Sequence, residues 1–124
     1  MPGKPFLTFL YLDEFADDWS DLKLSFETDA WDLEVQIMGR PTAGDVVKGA
    51  CGLRKTRFAP AGRNVGKSGG VRIGYAYVEG LAVVIMIQAY DHHEKDNFTG
   101  AEKKAICKAL RRIEERLRKA IKRK

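Results

Sequence analysis

Residues 81–89 form an almost wholly apolar run, LAVVIMIQA, and this run most constrains how the chain can fold. A run of that length is too short to cross a bilayer and is typical of a strand buried on both faces. Two strand-like segments precede it, Leu53–Phe58 and Val71–Val78, and Gly and Pro punctuate the connections. Three consecutive strands joined in this way predict a small antiparallel meander.

Helical patterns flank this predicted sheet. Residues 6–12 predict a first strand, and Asp13–Asp21 predicts a helix. Residues 24–39 predict a second helix, because apolar residues recur every three or four positions until Arg40-Pro41. Residues 99–102, Thr-Gly-Ala-Glu, match a capping box and begin a basic amphipathic helix. The predicted class is α+β, a small, mostly antiparallel twisted sheet with N-terminal helices packed on it and a C-terminal basic helix.

The net charge of +5 hides an uneven distribution along the chain. Residues 1–47 hold three Lys and Arg against ten Asp and Glu, a net charge of −7. Residues 48–124 hold nineteen against seven, a net charge of +12. This division predicts a basic working face on an acidic scaffold, with chance clustering on a solvated surface as the alternative. The length predicts a single domain over residues 1–124.

The basic residues are densest in and between the first two strands of the meander. Six cations and no carboxylate occur within 19 residues, namely Arg54, Lys55, Arg57, Arg63, Lys67 and Arg72. Like charges this close repel one another unless a polyanion lies between them, so the segment predicts a phosphate-binding surface. Alternation along a strand places Lys55 and Arg57 on one face and Arg54 on the other, which favours the first two as catalytic residues.

A surface of this kind can cleave RNA without a metal ion, because RNA carries its own nucleophile. The reaction requires a deprotonated 2′-hydroxyl, stabilisation of negative charge on the phosphorane, and protonation of the 5′-oxygen leaving group. Arg72 follows Gly69-Gly70 on the second strand, where its guanidinium can bind a phosphate through two parallel hydrogen bonds. The alternative for Arg72 is a surface salt bridge.

Two further motifs are present but not favoured. Residues 61–68 fit the [AG]-x-x-x-x-G-K-[ST] pattern of nucleotide-binding loops, but a β-pattern follows where that loop requires a helix. His92 and His93 lie among acidic residues, but adjacent histidines on a strand point apart and no second ligand cluster accompanies them. No metal and no other cofactor is predicted.

The cysteines and the N-terminus bear on the compartment. Cys51 and Cys107 lie far apart and lack CxxC spacing, so they are predicted to be reduced thiols, with a disulfide as the less favoured alternative. The first residues include Pro2, Gly3 and Pro5 without a long apolar core, so no signal peptide is expected. These features predict a cytoplasmic protein without a membrane segment.

Four motifs follow one another in a recognisable order. They are G-L-R-K-x-R-F from Gly52, G-R-x-x-G-K-x-G-G-x-R-I-x-Y from Gly62, an apolar strand ending in Ala-Tyr, and E-K-x-x-F-T before the basic helix. In this order they resemble the RelE/HigB-like toxins of type II toxin–antitoxin systems, within the RelE/ParE superfamily. The resemblance covers residues 41–124 and is strongest over residues 52–90, whereas the first forty residues match only in layout.

The resemblance implies a metal-independent endoribonuclease that cuts mRNA in the ribosomal decoding site and so inhibits translation. It implies that Arg72 holds the scissile phosphate, while Lys55 and Arg57 are predicted to neutralise its charge. Tyr90 stands near a tyrosine that the family often carries. Arg54, Arg63, Lys67 and Lys95 are predicted to bind RNA.

The segment after Tyr90 departs from the family pattern. Relatives often continue with Ala-Lys-Asn-Glu, whereas this chain reads Asp-His-His-Glu, so His92 stands where many relatives have Lys. An imidazole titrates near neutrality, so His92 can serve as general acid or base. The alternative is a solvated loop histidine, and the choice between Tyr90 and His92 for proton transfer stays open.

The resemblance also implies partners. They are a cognate antitoxin, expected to be a helix-turn-helix protein, together with the ribosome and mRNA. Two other functions remain open at this point. One is inhibition of DNA gyrase by binding, as in ParE-type toxins of the same superfamily, and the other is a catalytically inactive module whose RNA binding depends strongly on salt.

Overall fold

The computed structural model describes residues 6–61, 70–91 and 97–122. In chain order the elements are β1 (Thr8–Tyr11), α1 (Asp13–Asp21), α2 (Asp29–Gly39), β2 (Asp45–Val46), β3 (Leu53–Phe58), β4 (Val71–Val78), β5 (Val83–Asp91) and α3 (Gly100–Lys122). The α+β class predicted from the sequence is confirmed.

The sheet has five strands in the order β1-β5-β4-β3-β2. Strands β3, β4 and β5 pair antiparallel, as the meander prediction requires, and β2 pairs antiparallel with the outer side of β3. Strand β1 pairs parallel with β5, so the sheet is mixed and not purely antiparallel. The parallel pair arises because the chain leaves β1, passes through α1 and α2, and enters the sheet again at its opposite edge.

Two element boundaries differ from the sequence prediction. Helix α2 begins at Asp29 instead of residue 24, because Ser25 Oγ accepts hydrogen bonds from the backbone N–H groups of Glu27 and Thr28. Hydrogen bonds between a serine hydroxyl and nearby backbone N–H groups compete with the backbone hydrogen bonds of a helix. The apolar run begins its strand at Val83, because residues 79–81 form a 3₁₀ turn.

Each face of the sheet has its own apolar core. Helices α1 and α2 cover one face, to which they contribute the buried side chains of Phe15, Trp19, Leu33 and Ile37. Helix α3 covers the other face through Ile106 and Leu110. Strand β5 supplies residues to both cores, alternating as far as Ile87 and shifting by one residue opposite Gly74 and Tyr75, which explains why its sequence is almost wholly apolar. The predicted packing of the N-terminal helices on the sheet is confirmed.

The predicted capping box starts α3. The backbone N–H of Glu102 donates to Thr99 Oγ1 at 3.1 Å, and the N–H of Thr99 donates to Glu102 Oε1 at 2.8 Å. Burial then decreases along the apolar stripe of the helix, from buried Ile106 to Ile121, which is 52% exposed. The contact with the sheet is therefore closest in the first half of α3, and half-buried Ile113 and Leu117 extend it.

Cys51 and Cys107 form a disulfide that joins the β2–β3 turn to α3, with 5.1 Å between their Cα atoms. The prediction of two reduced thiols is therefore wrong. The cysteines are separated by 56 positions in the sequence, and they meet because α3 returns across the sheet to lie over this turn. The disulfide also removes one argument for a cytoplasmic location, which stays a prediction. Within the described ranges, no helix combines the length and apolarity that a bilayer span requires.

Asp18 links α1 to the end of β5. Its carboxylate accepts a hydrogen bond from the backbone N–H of Ala89 at 3.1 Å. Burial raises the pKa of Asp18 above its usual value, and this hydrogen bond opposes the rise only in part. The folded protein therefore binds a proton at Asp18 more readily than the unfolded chain does.

We expect Asp18→Asn to raise the melting temperature at about pH 7, because the amide can still accept from Ala89 without a desolvated charge. The raised folded-state pKa means that the wild-type free energy of unfolding falls as the pH rises from the ordinary aspartate pKa through the folded value. The two melting temperatures should therefore converge at about pH 3. The exposed Glu27→Gln, whose charge is not among those that act on Asp18, is the control, and a lower melting temperature for Asp18→Asn at neutral pH would contradict this expectation.

Candidate active site

Arg57, Arg72 and Tyr90 form one row across three adjacent strands. Arg57 of β3 lies opposite Arg72 of β4, and Arg72 lies opposite Tyr90 of β5. Directly opposed residues on antiparallel strands point to the same face, with Cβ atoms about 5 Å apart. Tyr90 belongs to the core beneath α3, so the row lies on the α3 side of the sheet.

A cavity of about 330 Å³ lies over this row. Its described walls are Ala43, Asp45, Lys55, Thr56, Arg57, Arg72 and Tyr90. Lys55 precedes Arg57 by two residues on β3 and therefore shares its face. The structure thus brings together four of the five residues predicted to be catalytic. The fifth, His92, lies outside the described residues.

Arg72 presents an unsatisfied donor at this cavity. Its Nη1 is buried and has no hydrogen-bond acceptor among the residues that the structure describes. A buried donor without a partner costs about 1–3 kcal/mol, and more when the group is charged. The opposed guanidinium of Arg57 adds a like-charge pair, which is also unfavourable. An anion that accepts a hydrogen bond from Arg72 Nη1 would remove the cost of the unsatisfied donor.

Tyr90 is held in place by an aromatic neighbour. Its ring is 7% exposed and meets Phe98 edge to face, with 5.8 Å between ring centroids. This geometry is favourable for aromatic pairs. Tyr90 therefore stands as a fixed wall of the cavity, with its phenol group on the same face as the two arginines.

Arg54 has a different environment. Its Nη1 donates to the backbone oxygens of Thr42 at 2.9 Å and Gly44 at 2.8 Å. Across the strand pair lies Tyr75, whose hydroxyl donates to Pro41 O at 2.8 Å and accepts from Gly44 N at 3.1 Å. Burial raises the pKa of Tyr75, while the Gly44 hydrogen bond and the charge of Arg54 oppose the rise. Arg54 and Tyr75 together hold the 41–44 segment against the sheet.

Of the four residues predicted to bind RNA, Arg54 lies within the described residues, and it is not among those that line the cavity. Arg54 lies on the opposite face of β3, as the predicted alternation requires, and donates to the backbone oxygens of Thr42 and Gly44. Arg63, Lys67 and Lys95 lie outside the described residues, so their role in RNA binding stays a prediction.

Asp45 is a cavity residue that the sequence analysis missed. It pairs with Lys55 across β2 and β3, which brings a carboxylate to the wall of the cavity. It is the one acidic residue among the described residues of this wall. Gly49 and Gly52 could have indicated this contact, because glycines at these positions predict a hairpin turn that pairs Asp45 with Lys55. Both glycines have positive φ in the structure.

The fold is similar to that of a solved structure of the E. coli toxin RelE, a double arginine-to-alanine variant in the free state. The TM-score is 0.52 at 14% sequence identity, and the similarity covers 74% of this chain and 90% of the RelE chain. The chain has a RelE-like fold. No family model matches the sequence. The predicted RelE-like architecture is confirmed at the level of fold.

We expect pyrophosphate to raise the melting temperature of the wild type. It supplies hydrogen-bond acceptors to Arg72 Nη1 and negative charge beside Lys55 and Arg57. At about ten times the Kd the stabilisation is about 1.4 kcal/mol. Arg72→Gln should lose this response, as measured by thermal denaturation at matched ionic strength.

Arg54→Gln is the matched control for this measurement. It should lower the melting temperature, since two backbone oxygens lose a charged donor, yet pyrophosphate should still raise its melting temperature because Lys55, Arg57 and Arg72 are unchanged. An equal response from wild type and Arg72→Gln would show that the anion does not bind at this cavity.

Proposed function

We propose that this protein is the toxin of a toxin–antitoxin pair and a ribosome-dependent mRNA endonuclease that inhibits translation. The observation that carries the proposal is the row of Arg57, Arg72 and Tyr90 on a RelE-like fold, where Arg72 lines a cationic cavity and carries a buried, unsatisfied guanidinium donor. The motif resemblance supports the ribosomal substrate and a cognate antitoxin.

In this mechanism the cavity binds the scissile phosphate. Arg72 donates to its non-bridging oxygens from the centre of the row, where neighbours on both sides fix its position. Arg57 and Lys55 add positive charge from β3. Negative charge accumulates on these oxygens in the phosphorane, so donors already in place stabilise the transition state more than the ground state.

Cleavage also needs two proton transfers. The 2′-oxygen attacks phosphorus as its proton leaves, the bond to the 5′-oxygen breaks, and a proton reaches that oxygen. The products are a 2′,3′-cyclic phosphate and a 5′-hydroxyl end. Asp45, Lys55 and Tyr90 are the cavity residues of the described chain that can exchange protons, and His92 is the further candidate from the sequence.

We expect Arg72→Ala to reduce the rate of mRNA cleavage on programmed ribosomes by about 100-fold or more, the effect of removing one preorganised donor. Growth inhibition on expression should disappear in parallel. Arg118→Ala is the matched control, because Arg118 is exposed on α3 and pairs only with nearby Glu114 among the contacts of the described chain. Its cleavage rate should equal that of the wild type.

The same preparations also distinguish the competing functions. Full cleavage by a folded Arg72→Ala variant would refute the assignment of the site. Inhibition of gyrase supercoiling without RNA cleavage would indicate a ParE-type toxin. Salt-dependent RNA binding by the wild type without any cleaved product would indicate an inactive binding module.

A further inference from the structure

A second cavity, of about 220 Å³, adjoins the first. Lys55 lines both cavities, so they meet at this residue. Lys48 and Lys103 supply two more cations to the second cavity, and Val46, Val47 and Phe98 supply apolar surface. No carboxylate is among the described residues that line it. The second cavity therefore combines positive charge with apolar walls.

The three lysines come from three different parts of the fold. Lys48 lies in the β2–β3 turn, Lys55 on β3, and Lys103 in the first turn of α3. The N-terminus of a helix carries partial positive charge, so it disfavours a cation such as Lys103 and favours an anion. A phosphate at this place would interact favourably with all three lysines, while the helix N-terminus itself is already capped by Thr99 and Glu102.

The disulfide holds two of these segments together. Cys51 follows Lys48 by three residues in the turn, and Cys107 follows Lys103 by one helical turn on the same side of α3. A Cβ placed on Gly49 would lie 3.9 Å from Lys103 Cδ, so the lysine stem passes close to the turn backbone. The disulfide therefore limits how far the segment that carries Lys48 can move from the segment that carries Lys103.

We propose that the second cavity is a subsite for the phosphate next to the scissile one. The substrate is then single-stranded RNA with at least two successive phosphodiester linkages, whose backbone continues from Arg72 past Lys55 to Lys48 and Lys103. The apolar walls contact the intervening nucleoside, and base–aromatic and base–aliphatic contacts of this kind tolerate different sequences. This inference rests on the proposed function of the first cavity.

The test compares the binding of 2′-O-methyl RNA, which lacks the nucleophile, as a dinucleotide and as a hexanucleotide. The wild type should bind the hexanucleotide about tenfold more tightly or better. In the Lys48→Gln/Lys103→Gln double variant this advantage should fall below about twofold, while affinity for the dinucleotide changes little. Because one phosphate loses its neutralising lysines, the slope of log K against log salt should also decrease in magnitude by about 0.7.

The matched control is Lys104→Gln/Lys108→Gln, which removes the same charge from exposed positions of the same helix. It should keep the length advantage. The proposal is overturned if the wild type shows no length advantage, if the Lys48/Lys103 variant keeps it, or if the control loses as much. In the last case nonspecific attraction explains the effect.

Failure of the subsite and failure of the proposed function give different results. Cleavage that depends on Arg72, together with an unchanged length advantage in the Lys48/Lys103 variant, overturns only the subsite. A length advantage that depends on Lys48 and Lys103, without any cleavage on ribosomes, supports the subsite and overturns the endonuclease.

Discussion

The register of β3, β4 and β5 is the constraint on which the site depends, because it alone sets Arg57, Arg72 and Tyr90 side by side. A slip of one residue would send Arg72 to the opposite face. Val71 and Ile73, the neighbours of Arg72 along β4, are buried in the core beneath α1 and α2. Each such burial is worth about 1.5–3 kcal/mol, whereas a like-charge pair on opposed strands costs about 1 kcal/mol or less. The core on one face therefore holds the two arginines together on the other.

The walls of the site come from segments that are distant in sequence. Arg54 and Tyr75 hold the 41–44 segment, and a Cβ on Gly44 would lie only 2.7 Å from the Tyr75 hydroxyl. That packing fixes the start of β2, which brings Asp45 beside Lys55. On the other side the disulfide fixes α3 over the β2–β3 turn. Arg54 thus stabilises the cavity wall from the opposite face of β3, while Lys55 and Arg57 line the cavity itself.

The sequence predicted what depends on local signals. The bounds of α1, β3 and β4 followed from periodicity and turn residues, and the capping box of α3 was visible as four letters. Alternation on β3 also separated Arg54 from Lys55 correctly. The features that failed depend on tertiary contact or on competition for the backbone. The Ser25 hydroxyl binds the backbone where α2 was predicted to begin, so the helix starts later. The disulfide joins two cysteines that are distant in sequence, and the two-residue strand β2 places Asp45 at the cavity.

The position of a bound phosphate would show whether Arg72 holds the scissile phosphate. A crystal structure with a 2′-O-methyl RNA that cannot be cleaved should show a phosphate oxygen about 2.7–3.1 Å from Arg72 Nη1, on the side shared with Arg57 and Tyr90. The account is contradicted if the RNA lies elsewhere and Arg72 Nη1 instead donates to a carboxylate of the protein.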